Sequence, residues 1–81
     1  MRYALLDPRN GPIGPTPPED TEIVRGIGEA KRHLQTLQRN HFDPPEWLEV
    51  FDADAWDGAS YGDLLGQIHI GPRNGARWES A

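Results

Sequence analysis

The sequence contains no cysteine, which excludes disulfide staples and thiolate zinc sites together. That absence also fits a reducing compartment. No apolar run approaches the roughly 20 residues of a membrane-spanning helix, and the start, Met1-Arg2-Tyr3-Ala4-Leu5-Leu6-Asp7-Pro8, breaks too early for a secretory signal. These features predict a cytoplasmic protein that does not enter a membrane. Serine is scarce: Ser60 and Ser80 are the only two, and neither sits in a G-x-S-x-G elbow. Between Arg39 and Arg73 there is no lysine or arginine at all.

What remains is 81 residues, enough for one small domain over 1–81. A domain of this size buries only roughly 60% of its unfolded surface, and 36% hydrophobic content leaves few apolar residues to spare. With disulfides and thiolate metal sites excluded, a homo-oligomer or a partner subunit is the remaining kind of support. The net charge of −5 opposes phosphate backbones and anionic lipid. Direct nucleic-acid binding is therefore not expected.

Tyr3, Leu5 and Leu6 precede Asp7-Pro8-Arg9-Asn10-Gly11, and Asn-Gly is a strong hairpin signal. The return arm would be Pro12-Ile13-Gly14-Pro15, a short edge strand. The tetrapeptide Pro-Arg-Asn-Gly recurs at 72–75, between Leu64–Ile70 and Ala76–Glu79, and reads as the same turn used twice. Thr16-Pro17-Pro18-Glu19 has capping-box form. After it Ile23, Ile27, Ala30, Leu34 and Leu37 recur on one helical face, with Lys31, Arg32 and Arg39 opposing the macrodipole. Gly26 and Gly28 weaken the early turns, so Glu29–Gln38 is the firm part. Glu29 is placed to reach Arg32 and His33. Trp47–Phe51 reads as a strand by its aromatic and β-branched content, although Asp43-Pro44-Pro45-Glu46 would also cap a short helix over 44–51. The sum is an α+β domain: a small antiparallel sheet of hairpins with one main amphipathic helix packed on one face.

Chemical motifs are weak. Asp52, Asp54, Asp57, Gly58 and Asp63 resemble a calcium loop only loosely, because the third acid and the glycine are each displaced by one position. His33, His41 and His69 have no metal-ligand spacing, and His69 alternates with Ile68 and Ile70 so as to face solvent or a partner. Gly26-Ile27-Gly28 lacks the rest of a phosphate-binding fingerprint. So short a chain has little room for a dry pocket of roughly 300 Å³. No enzyme, cofactor or metal is expected.

The base-free span carries Asp43, Glu46, Glu49, Asp52, Asp54, Asp57 and Asp63, interleaved with Trp47, Phe51, Trp56 and Tyr61. Aromatics are enriched at binding hot spots, and a field of one sign steers a basic partner. The alternative reading makes Trp47 and Phe51 core and the acids its wet side. The partner-binding set expected from the first reading is Glu46, Glu49, Asp52, Asp54, Trp56, Asp57, Tyr61 and Asp63.

Trp47-Leu48-Glu49-Val50-Phe51-Asp52-Ala53-Asp54 followed by Leu64-Leu65-Gly66-Gln67-Ile68 resembles the closing strand pair of small bacterial ββαββ-type domains. Arginine in preference to lysine, with abundant glycine, proline and tryptophan, resembles the small accessory proteins of actinobacteria and their phages. That resemblance implies a phage-encoded or host-modulating role and carries no site residues. The function expected is non-enzymatic binding of a host or other partner protein. One alternative is a nucleic-acid mimic, since Asp43, Glu46, Glu49 and Asp52 recur every three residues. A second is weak nucleic-acid binding through the two Arg-Asn-Gly turns, with Arg9 and Arg73 at one basic end.

Overall fold

A computed structural model describes residues 1–10 and 16–81. The strands are β1 (Tyr3–Leu6), β2 (Glu22–Val24), β3 (Trp47–Asp52), β4 (Gly66–Ile70) and β5 (Ala76–Ser80), with helix α1 spanning Ile27–Asn40. They form one antiparallel sheet in the order β2-β1-β3-β4-β5. The α+β architecture with one helix on one face is as expected. Among the described residues no helix is long and apolar enough to cross a membrane.

The return arm proposed at Pro12–Pro15 lies outside the described residues. The partner of β1 on that side is instead β2, with Tyr3 opposite Val24 and Leu5 opposite Glu22. The helical stripe therefore starts at Ile27, not Ile23. Ile23 is a β-branched residue in a short strand and is 41% exposed. Gly26, extended at φ −161°, is the cap, and its carbonyl accepts the Ala30 N–H at 3.0 Å. Thr16-Pro17-Pro18-Glu19 caps nothing; the Thr21 N–H closes a turn onto the Pro18 carbonyl at 3.0 Å. Glu29 turns back to accept the Arg25 N–H at 3.0 Å instead of reaching forward, which satisfies an amide just ahead of the helix.

Ala30 and Leu34 are the buried residues of α1. They pack on Leu5, Val24, Leu48, Val50 and Ile68, flanked by Ile27, Leu37 and Trp78. The helix is tied to the loops by polar side chains. Gln35 Nε2 donates to the Asn74 carbonyl at 2.9 Å, and Gln38 Nε2 to the Pro45 carbonyl at 2.6 Å.

Both Pro-Arg-Asn-Gly copies turn the chain, the first over its described residues 8–10. In the first, Asn10 N–H reaches the Asp7 carbonyl at 3.0 Å. In the second, the left-handed residues are Arg73 (φ 57°) and Asn74 (φ 60°), one step ahead of the Asn-Gly pair. Register is the reason. Ile70 pairs with Ala76, so the hairpin's midpoint falls on Arg73 and Gly75 relaxes to φ −73°.

Gly66 is required by packing. A Cβ there would collide with the Glu79 carbonyl and with the Trp78 ring, which lies across the glycine. Gly66→Ala should cost about 1–3 kcal/mol by overpacking, a fall in melting temperature of roughly 4 °C or more for a domain of this size. An unchanged melting temperature would mean that the Trp78 ring does not sit on Gly66.

Candidate functional site

A pleated strand sends alternate side chains to opposite faces, and β3 divides its residues accordingly. Leu48 and Val50 go under the helix, while Phe51 packs in a second cluster on the far side. The same alternation sends Trp47 and Glu49 to that far face. The register sets Trp47 opposite His69 and His69 opposite Arg77, and sets Glu49 opposite Gln67 and Gln67 opposite Glu79. The Trp47 and His69 rings stack at 5.6 Å with an interplanar angle of 8°. His69 Nε2 lies 2.8 Å from Gln67 Oε1 and 3.4 Å from Glu79 Oε2. Arg77 Nε donates to Glu79 Oε1 at 3.0 Å. The His69 side chain is 26% exposed and that of Arg77 67%. This half of the sheet is a stacked aromatic pair bordered by charge, open to solvent.

The other half of the far face is covered. The segment from 53 to 65 folds over β1 and β3, so that Tyr61 rests on Ala4 and Leu6 with Phe51, Ala53 and Trp56 around it. Tyr61 stands 5.9 Å from Phe51 and 4.9 Å from Trp56, edge-on to the latter. It is only 5% exposed, and burial raises its phenol pKa above the ordinary value. The expectation that Trp56 and Tyr61 are loop contacts is therefore corrected for Tyr61, with Trp56 packed against it.

The acids are divided as well. Asp52 Oδ1 accepts the Asp54 N–H at 3.0 Å, and Asp54 pairs with Arg2. Asp57 accepts the Ala59 and Ser60 N–H groups at 2.9 and 2.8 Å, and these bonds hold its carboxyl below the ordinary value. Asp63 is exposed. Of the eight residues expected to bind a partner, Glu49 stands on the open half beside Trp47 and Glu46 adjoins it. A spacing of three in a strand sends Glu49 and Asp52 to opposite faces, so the series 43, 46, 49, 52 makes no single row of carboxylates. Among the described residues no three metal-ligating side chains converge.

Two depressions flank Arg9, and the sequence alone did not indicate them because their walls come from distant segments. One is a groove of about 310 Å³ with Pro8, Pro44, Pro45 and Trp47 as its apolar walls and Asp43 and Glu46 beside them. The other is a cleft of about 250 Å³ under the end of α1, floored by Leu5, Leu37 and Leu48 and rimmed by carboxylates with His33 and His41. Arg9 bridges the two. It donates to Asp7 Oδ2 at 2.8 Å, to Asp43 Oδ2 at 2.9 Å and to the Asp43 carbonyl at 2.9 Å. Its guanidinium is thus committed inside the molecule, and the first Arg-Asn-Gly turn offers no spare cation. Comparison with protein-family models, curated proteins and solved structures finds no match.

Tyr61→Ala should destabilise the fold by about 3 kcal/mol in chemical denaturation, which marks the ring as core; a loss under about 1 kcal/mol would return it to the surface. Arg9 holds the Asp7 carboxyl below the ordinary carboxylate value. Asp7 therefore adds stability that is present above its unfolded pKa of about 4 and is lost as pH falls through its lower folded value. Asp7→Asn should cost about 1 kcal/mol at neutral pH, modest because Arg9 is half exposed. Melting temperatures of the two proteins should converge below about pH 4, and a gap independent of pH would contradict this assignment.

Proposed function

We propose that this chain is a non-enzymatic module that binds a basic partner protein through the open half of its sheet. The observation that carries this reading is the groove of about 310 Å³ that runs up to Trp47. It puts three prolines and an indole next to the carboxylates of Asp43 and Glu46. An arginine or lysine has an apolar stem and a cationic head. Its stem suits the proline walls, and its head suits the indole face and Glu46, since Asp43 is already paired with Arg9. The His69 ring supports Trp47 from behind, so the indole is held in one orientation before binding, which lowers the entropy cost of contact.

The net charge of −5 adds long-range steering of a basic partner, which raises association rate more than affinity. A cytoplasmic host protein is the kind of partner that the compositional resemblance implies. The nucleic-acid alternatives draw less support, because the carboxylates form no continuous row and Arg9 is bound internally.

Peptides selected from a random display library on the immobilised chain supply the test. Selected sequences should be rich in arginine or lysine. Calorimetry should show the double variant Glu46→Lys, Glu49→Lys binding them about tenfold or more weakly, whereas Asp63→Lys, exposed on the covering segment, should bind as wild type does. Equal binding by the double variant, or selection of acidic peptides, would refute the proposal.

A further inference from the structure

The sheet ends in two unlike edges. Their exposed backbone groups follow from the hydrogen-bond parity. Ala53 N–H bonds the Arg2 carbonyl, so Tyr3 and Leu5 turn their amides toward β2, and Glu22 and Val24 turn theirs back. Only Ile23 of β2 presents its backbone outward. On the opposite side, Ala81 N–H bonds the Leu65 carbonyl and Gly71 N–H bonds the Gly75 carbonyl. The same parity turns Arg77 and Glu79 inward to β4. Ala76, Trp78 and Ser80 are left with their N–H and C=O groups on the free edge. Edge strands are normally blunted by charged side chains, above all lysine, by proline or by a bulge; β5 has no lysine or proline, and its two charges, Arg77 and Glu79, are of opposite sign.

From this edge we propose that two copies of the chain pair antiparallel through β5, about a two-fold axis at Trp78, and join their sheets into one. This interface is independent of the partner surface proposed above. The parity permits this register. Trp78 meets Trp78 of the second copy and Ala76 meets Ser80, and these are the residues whose backbone groups are unpaired within the sheet. About six inter-strand hydrogen bonds form. The intervening positions then place Arg77 directly opposite Glu79 of the other copy, twice, in the closer non-hydrogen-bonded pairs. Both side chains lie on the open face and are 67% and 48% exposed, so they can meet across the axis. A two-fold contact demands a self-complementary surface, and Arg77-Trp78-Glu79 is self-complementary in charge about its central residue. A register shifted by two residues would put glutamate against glutamate or arginine against arginine.

Charge reversal tests the register and the occupant together. By analytical ultracentrifugation the wild-type chain should reach about twice its 9.1 kDa mass at high micromolar concentration. Arg77→Glu alone and Glu79→Arg alone should each weaken self-association by about tenfold or more, and the double swap should restore it. The decisive sample mixes the two single variants. One copy then carries two glutamates and the other two arginines, and they should form a mixed dimer although each variant alone is monomeric and both remain net negative. That mixture also shows that each variant is folded. A wild type that stays monomeric, a dimer indifferent to either reversal, or single variants that fail to pair when mixed would each overturn the proposal.

Discussion

A five-stranded sheet has two faces to keep from water, and the described residues supply one α-helix to do it with. Strands about 4.8 Å apart make a sheet roughly 20 Å across between its edge axes, whereas a helix with its side chains is about 10 Å wide. Even the helix side therefore needs help. Tyr3, Ile70, Ala76 and Trp78 extend the cluster around Leu34 to either side, and Trp78 reaches back over Gly66 instead of standing upright. On the second side no α-helix lies among the described residues. The segment between β3 and β4 folds back and supplies Tyr61 as its main ring, sealing β1 and half of β3. The rest stays wet. The open surface with Trp47 and His69 is the part of this face that the segment leaves uncovered, while Met1, Ile23 and Phe42 stay exposed elsewhere on the molecule.

Whether an element is decided locally or by a distant partner explains which features could be recognised in the sequence. Ala30, Leu34 and Leu37 form a stripe that only a helix brings together, and the strands at 47–52, 66–70 and 76–80 follow from aromatic and β-branched content between turn residues. Ile23 was misleading because it lies four residues before Ile27, so helical periodicity runs straight through it. What decides its state is pairing with β1, some twenty positions earlier, which a local pattern does not contain. Tyr61 was hidden for a related reason. A glycine-bearing, acidic loop reads as solvent-facing, yet the uncovered side of β1 needs an apolar cover, and this ring is the one the chain brings there. The His69 reading held because two-residue alternation beside Ile68 and Ile70 is local.

Charge follows the strand pleat in the same way. The acids from Glu46 to Asp63 look like one block in a line of text, but the fold separates them by task. Asp52, Asp54 and Asp57 hold turn backbones or Arg2, so their negative charge helps to set the path of the covering segment. Asp43 and Asp7 share Arg9, which fastens the end of β1 to the entry of β3. Glu46 and Glu49 are left beside Trp47 with no such duty in the fold. A residue whose removal should leave the fold intact is the better candidate for binding; Glu46, Glu49 and Asp63 meet that criterion, and only the first two stand beside Trp47.

The open face and the free edge are neighbours, and this links the two proposals without making either depend on the other. Arg77 and Glu79 stand at the boundary: their side chains border the Trp47 and His69 stack, and their strand is the edge that pairs. Joined through β5, two sheets place a β3 from each copy five strand spacings apart, or about 24 Å. Two grooves of opposite direction would then lie on one continuous surface. A partner with basic segments related by a two-fold axis gains from that spacing, since the second contact becomes intramolecular and adds avidity without any new interaction. A single extended segment gains only from the groove of one copy. The geometry thus ties partner symmetry to self-association: if the chain acts as a pair, a dimeric partner is favoured over a monomeric one of equal intrinsic affinity.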